Sequence, residues 1–213
     1  MNAEKLEGEI VSQKPRLIYL SGKTCTGKTT FANYLERHGY SKVGLDKIVM
    51  DSVVAAFEVP EHEAFLTAYR DEGPSEHVAA FIAAAKLEIA AKLTKSSIVV
   101  EGAIATTRIL RQIFSEDLSD FVFIYFHPVH LDIYVSRIHT RFIAGARDGT
   151  SGLPKRFWDG VREQDLQEFL EVGTVNTGLE KSIRDYAEAS MLESTKRLAH
   201  LKSEFSEIIV VEV

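Results

Sequence analysis

The sequence predicts a three-layer α/β fold, a parallel sheet of about five strands with helices on both faces. Three observations predict it. Arg16 to Leu20 and Phe121 to Phe126 carry apolar residues at consecutive positions, as strands covered on both faces do. Segments of helical spacing separate the strand-like runs, so successive strands return in parallel by right-handed crossovers. The 213 residues, 45% of them hydrophobic, suffice for one domain with a core, whereas two full domains would each be thin.

The elements follow in order. Residues 1–15 read as a loose lead-in. Arg16 to Leu20 is a buried strand stopped by Ser21 and Gly22. Lys28 to His38 reads as a helix with Gly39 as its stop. Lys42 to Leu45 is a weak second strand. Asp46 to Phe57 has Ile48, Val49, Val53 and Phe57 at helical spacing, and Pro60 closes it. Glu58, Glu61, His62 and Glu63 read as a solvated turn. Ser75 is a cap for an alanine-rich helix reaching about Lys95. Ser97 to Val100 is the third strand, and Thr107 to Phe114 a helix. After the Phe121 strand, a helix runs from about Val129 to Ile143. Residues 144–160, rich in Gly, Asp, Arg and Lys, read as a mobile lid. Thr177 and Glu180 match a capping box that opens a helix to about Ser203, and Glu207 to Val211 is the last strand.

Composition excludes several classes. Net charge is −6, which argues against non-specific nucleic-acid binding through a basic surface. No apolar run approaches the roughly 18–20 residues of a membrane helix. The one cysteine, Cys25, rules out an intrachain disulfide and fits a reducing compartment. The N-terminus lacks a signal-peptide apolar stretch. These observations lead us to expect a cytoplasmic protein without membrane or nucleic-acid partners.

Gly22 to Thr29 fits the pattern G-x-x-x-x-G-K-[ST] completely, after a strand and before a helix. Its glycines permit a tight turn and close approach of backbone N–H groups to a phosphate, with a helix N-terminus behind them. Gly22, Lys23, Thr24, Cys25, Thr26, Gly27, Lys28, Thr29 and Thr30 would therefore cradle a nucleoside triphosphate. Lys28 would reach the β- and γ-phosphates, and the Thr29 hydroxyl would ligate magnesium. The expected fold is thus the three-layer P-loop NTPase fold, over residues 16–213.

A phosphate loop alone does not name the acceptor. No N-K-x-D motif is present, nor a D-x-x-G on a suitable strand end, so a GTPase is disfavoured. Asp46 ends the second strand and Glu101 the third, where ligands of an open parallel sheet bind. Asp46 suits a base for an attacking hydroxyl, or a helix cap. Glu101 suits the magnesium shell or a grip on the acceptor, or a solvated strand end. Arg137 and Arg141 lie one helical turn apart, and Arg147 sits in the lid segment. Such arginines would neutralise charge on a transferring phosphoryl group, or simply form a basic solvated face. Arg108 and Arg111 are weaker candidates of the same kind.

On these residues the chain resembles the P-loop small-molecule kinases, and within them the uridine kinase-like nucleoside kinases. The resemblance runs from Arg16 to Asp148. It rests on the phosphate loop, Asp46, Val100 to Ile104, Phe121 to Ile124, Arg137 to Arg141 and Gly145 to Asp148. It implies ATP and Mg²⁺ as cofactors, Asp46 as base, Glu101 at the active site, and Arg137, Arg141 and Arg147 as the lid arginines. The chain departs from the family pattern at Lys47 to Val49, where aromatic residues usually follow the aspartate. It also departs at Thr24 to Thr26 and at Gly145 to Arg147.

The expectation is an ATP-dependent kinase acting on a hydroxyl of a small molecule, with a nucleoside among the acceptors. Two other readings stay open: a nucleotide-binding regulatory protein without transfer, and a nucleoside monophosphate kinase. The latter needs arginines at the acceptor site, while those seen in sequence gather on the lid side. Trp158 reads as a packing anchor before a base-stacking ring. His77 and Phe81 read as packing residues, and His127, His130 and His139 lack metal-ligand spacing.

Overall fold

The computed structural model describes residues 3–102, 106–114, 121–148, 153–205 and 207–213. The elements run α1 (Ala3–Gln13), β1 (Leu17–Gly22), α2 (Lys28–Arg37) and β2 (Ser41–Gly44). Then α3 (Leu45–Val49) passes through one π-helical stretch, Met50–Val54, into α4 (Ala55–Phe57). There follow α5 (Glu61–Arg70), α6 (Ser75–Leu93), β3 (Ile98–Glu101), α7 (Thr107–Ile113), β4 (Phe121–His127) and α8 (Leu131–Asp148). The chain ends with α9 (Lys155–Trp158), α10 (Glu163–Val172), α11 (Thr177–Glu204) and β5 (Ile209–Glu212).

Among the described residues the strands form one five-stranded sheet in the order β2-β3-β1-β4-β5, with every pairing parallel. Helices cover both faces, so the expected α/β three-layer fold is the observed one. β1 lies at the centre, and all its residues are buried. Its side chains alternate between the two cores. Ile18 and Leu20 join Leu6, Ile10, Phe31 and Leu35 on one face. Leu17 and Tyr19 join Val43, Val53, Phe81, Ile109 and Phe123 on the other. A third cluster, with Tyr134, Phe142, Phe157, Phe169, Ile183 and Tyr186, joins α8 to α9, α10 and α11.

The chain climbs β1, crosses outward to β2, returns to β3 and then passes to the opposite side for β4. Connections leave β1's two neighbours in opposite directions. That switch opens a crevice beyond the carboxyl ends of β1, β3 and β2.

Several elements differ from the sequence expectation. The lead-in is helical over Ala3–Gln13. Leu6 and Ile10, four residues apart on one helix face, are each 1% exposed against the α2 core. Surrounding charges had masked this short apolar stripe. The supposed turn after Pro60 is the start of α5, because proline before an acidic first turn, Glu61 and Glu63, favours helix initiation. Pro74 rather than Ser75 precedes α6 in the capping position. Asn176, one residue before Thr177, caps α11 by accepting the Leu179 N–H at 2.9 Å. Residues 144–148 continue α8, and residues 153–160 hold α9 with Leu153 and Phe157 in the third core cluster. The rest of the expected lid, residues 149–152, lies outside the described residues. α10 was not anticipated. Trp158 is a packing residue: it meets Phe142 and Phe157, and its indole N–H donates to the Leu153 carbonyl at 3.2 Å.

Truncating Leu6 to alanine should remove buried methyl groups from the α1–α2 contact and cost about 2–4 kcal/mol in urea unfolding. A change below about 0.5 kcal/mol would show that α1 is not part of the cooperative fold.

Candidate active site

Gly22 is the last residue of β1 and has φ 145°. A Cβ there would stand 2.5 Å from the Phe126 carbonyl oxygen, so no side chain fits between β1 and β4. The loop then turns through Cys25, at φ 65°, to Gly27, at φ 93°, where α2 begins. Cys25 holds a left-handed conformation that costs a non-glycine residue roughly 1–2 kcal/mol, so its surroundings must enforce it. They do so from two sides. Inside the loop, the Thr26 hydroxyl and the Lys28 ammonium both donate to the Lys23 carbonyl, each at 2.7 Å. Outside it, the Tyr134 hydroxyl of α8 donates to the Thr24 carbonyl at 2.9 Å. Thr29 and Thr30 stand exposed on the first turn of α2, whose leading N–H groups have no intrahelical acceptor.

Lys28 is the charged centre of this loop. Burial lowers its ammonium pKa to about 8; the negative charges of Asp46 and then Glu101 oppose that shift, and neighbouring Lys23 adds to it. Asp46 and Glu101 therefore both act on the Lys28 side chain; Glu101 ends β3, but Asp46 does not end β2, which stops at Gly44, and lies in the first turn of α3.

Each carboxylate has a further partner that sequence did not reveal. Asp46 lies in the first turn of α3 and accepts a short hydrogen bond from the Tyr69 hydroxyl of α5. It does not cap α3, since Gly44 holds that position. Tyr69 reaches it because residue 102 is glycine. A Cβ on Gly102 would lie 3.1 Å from the Tyr69 hydroxyl and 2.9 Å from the Leu45 Cβ. Glu101 is no solvated strand end. Its side chain is 15% exposed and pairs with Lys42 at 2.7 Å. Lys42 also donates to Asn33 of α2 at 3.0 Å.

Arg137 and Arg141 lie exposed on α8 beside the phosphate loop. Burial raises the pKa of the Cys25 thiol, and the positive charges of Arg141, Lys28 and Arg137 oppose that shift. Arg147 belongs to the last turn of α8, and its side chain lies outside the described residues, as do Ala103 and Ile104. Arg108 and Arg111 are not brought to the site: they pair with Asp71 and Glu204 on an exposed surface. Phe81 is wholly buried and His77 stacks on Phe57 at 4.1 Å, so both pack rather than line a pocket. Among the described residues no group of histidine, cysteine and acidic side chains could hold a metal by itself. Nor, among the described residues, is any helix long and apolar enough to cross a membrane.

Sequence reasoning missed the ionic cluster at the rim. Lys23 of the phosphate loop, Arg70 of α5 and Arg156 of α9 all bind one carboxylate, Glu193 of α11. The Lys23 and Arg70 contacts are both 2.6 Å. Glu193 has its pKa pulled down to about 2: burial works against ionisation, and the hydrogen bonds from Lys23 and Arg70 overcome it. Arg156 also donates to Ser190 at 2.8 Å and lies 5.2 Å over the Tyr186 ring. The Pro60 signal would have exposed α5 and with it Tyr69 and Arg70. Nothing local marks Glu193 within a helix of 28 residues.

No family model matches the chain, and no curated protein matches it. Among solved structures, shikimate kinase from Acinetobacter baumannii in complex with shikimate is similar at 16% identity and a TM-score of 0.37. That match covers 94% of this chain and 99% of the other. TT1252 from Thermus thermophilus is similar at 18% identity and a TM-score of 0.36, over 84% of this chain and 97% of the other. Likeness at this level carries no residue role across.

A polyphosphate on the loop would stabilise the Lys28 ammonium and raise its pKa above about 8. Below about pH 8 the free ammonium is already charged and affinity is full; above it, binding must take up a proton. Magnesium-ATP affinity should therefore fall as pH rises from 8 to 10, by up to about tenfold per unit. Calorimetric titration in two buffers of different ionisation heat checks both the fall and the proton uptake. Constant affinity with no uptake would contradict the burial of Lys28.

Proposed function

We propose that the protein is an ATP-dependent kinase that transfers the γ-phosphoryl group to a hydroxyl of a small acceptor. One observation carries this reading: the Lys28 ammonium, set in a complete phosphate loop, feels the negative charges of two carboxylates, Asp46 in the first turn of α3 and Glu101 at the end of β3. A protein that only binds nucleotide has no need of the second group of this kind, whereas phosphoryl transfer needs both a phosphate grip and an acceptor base.

In this reading the loop amides and Lys28 hold the β- and γ-phosphates, with Gly22 to Thr30 as the cradle. Asp46 accepts the proton of the attacking hydroxyl. The hydroxyl oxygen bonds to the γ-phosphorus while the bond to the bridging β–γ oxygen breaks, and ADP leaves with that electron pair. Tyr69 donates to Asp46 and so keeps one carboxylate oxygen aimed and occupied, leaving the other for the acceptor. Arg137, Arg141 and Arg147 take the role of lid arginines that neutralise charge on the γ-phosphoryl group.

Magnesium fits the donors present. The exposed Thr29 hydroxyl and the nearby carboxylates are hard oxygen ligands, and magnesium commonly takes one or two such groups plus substrate phosphates. Thr29 would hold it directly. Glu101, already bound to Lys42, would hold its water shell. When bound, the ion would supply positive charge that offsets charge on the transferring phosphoryl group.

The resemblance to uridine kinase-like enzymes supports a nucleoside acceptor, and Asp46 supports the base role it implies. Two observations weigh toward other small hydroxyl compounds. Trp158 is committed to packing, and Tyr69, the aromatic side chain at Asp46, is 3% exposed, so neither offers a free face to a base. The nucleoside monophosphate kinase reading gains from Arg70 and Arg156, which lie together near the loop rather than on the lid side alone.

Asp46→Asn should lower phosphoryl transfer about 10²–10⁴-fold while ATP affinity changes less than about threefold. Labelled ATP and a panel of hydroxyl compounds, nucleosides and nucleoside monophosphates measure the first, and calorimetry the second. An unchanged rate would remove Asp46 as the base. ATP binding without transfer to any acceptor would favour a regulatory protein.

A further inference from the structure

The rim of the candidate site holds more positive charge than its structure requires. Lys23, Arg70 and Arg156 converge on the single carboxylate of Glu193. Arg197, one helical turn further along α11, adds a fourth cation that interacts with Glu193 and is repelled by Arg70. Its Nε and Nη2 atoms are buried and have no hydrogen-bond partner among the described residues. One or two cations would balance Glu193. Four leave an excess of three positive charges and orphan a guanidinium fork, an arrangement that is costly unless something anionic completes it.

Three of these side chains, Arg70, Glu193 and Arg197, also line a cavity. With Lys196 and His200 they border an open cleft of about 230 Å³, room for a carboxylate or phosphate group with a few atoms more. Among the described residues, Glu193 is the sole acidic one in that lining. The cavity adjoins the phosphate loop through Glu193, which lines it and pairs with Lys23 at 2.6 Å. Arg70 directly follows Tyr69, whose hydroxyl binds Asp46, and Lys23 belongs to the phosphate loop itself. An anion seated against Arg70 and Arg197 would lie beside the carboxylate that pairs with the phosphate-loop residue Lys23.

We propose that the acceptor is an anionic hydroxyl compound, a hydroxy acid or a phosphate ester, whose anionic group binds in the cavity formed by Arg70 and Arg197. This rests on the kinase reading and narrows its acceptor. Glu193 is the internal stand-in for that group. It holds the cations in place and shares or yields them when the acceptor arrives. The forked, planar guanidinium groups suit two-oxygen anions, which a neutral sugar or nucleoside does not offer.

The test fills the phosphate loop first, with a non-hydrolysable ATP analogue and magnesium, and then titrates malonate and, separately, methyl phosphate by calorimetry. At least one should bind, more weakly as salt rises. Arg70→Gln and Arg197→Gln should each weaken that binding about tenfold or more. Glu193→Gln should tighten it about tenfold, since it removes the competing internal anion, whereas a purely structural Glu193 would give no gain. Binding of malonate alone assigns a hydroxy acid, and binding of methyl phosphate alone a phosphate ester. Arg70 is partly exposed, so its variant keeps the test open should Arg197→Gln fail to fold. Binding of neither anion, or binding indifferent to both arginine substitutions, overturns the proposal. With labelled ATP in place of the analogue, transfer onto the phosphate oxygen of methyl phosphate also overturns it, since the anion itself would be the acceptor. Failure of the ATP analogue to bind counts against the kinase reading instead. The same titrations on Lys28→Met protein, with the phosphate loop disabled, still report on the cavity.

Discussion

A largely covered ammonium group at the head of the central strand constrains everything near it. Removing a lysine charge from water is expensive, and the loss of solvation shows in the lowered pKa of Lys28. The chain offsets that cost locally, with the Lys23 carbonyl in contact and the charges of Asp46 and Glu101 behind it. Those three groups come from three separate segments: the loop after β1, the start of α3 and the end of β3. Their meeting requires β1 to lie next to β3, and β2 beyond it, which is the observed strand order.

Supporting contacts hold this small charged set in one geometry. Tyr134 ties the loop to α8, Tyr69 ties Asp46 to α5, and Lys42 ties Glu101 to β2 and α2. Gly22 and Gly102 serve the same end by absence of a side chain. One lets β1 pass the Phe126 carbonyl, and the other admits the Tyr69 hydroxyl. Sites built on strand ends and braced by a surrounding layer keep their geometry better than sites on unsupported loops.

The third apolar cluster extends the same logic to the rim. α8, α9, α10 and α11 pack around Phe142, Phe157 and Phe169, and this packing carries Arg156 and Glu193 to Lys23. Half of what was expected to be lid is thereby anchored: α9 is pinned by Phe157 on its inner side and by Arg156 on its charged side. The site is thus framed by elements far apart in sequence, with α11 as the common wall.

Much of the donor side was legible in the sequence. Gly22 to Thr29 encode their own conformation, because glycine at the two turn points and a lysine at the helix start act within eight consecutive residues. The apolar runs of β1 and β4 likewise declare a doubly covered sheet without reference to anything distant. Glu101 was readable as a strand end for the same reason, whereas Asp46 stands just past β2 in the first turn of α3. Tyr69, Lys42 and Glu193 were not readable, since each acts through a partner separated from it by a large loop of chain, and no local periodicity encodes such a pair. α1 was hidden because its stripe consists of Leu6 and Ile10 alone, too little to stand out from charged neighbours until α2 is there to bury it. Local sequence determined where a phosphate can be gripped. Only the packing of helices from the two ends of the chain decided which charges surround the grip, because charge clusters are set by distance in space.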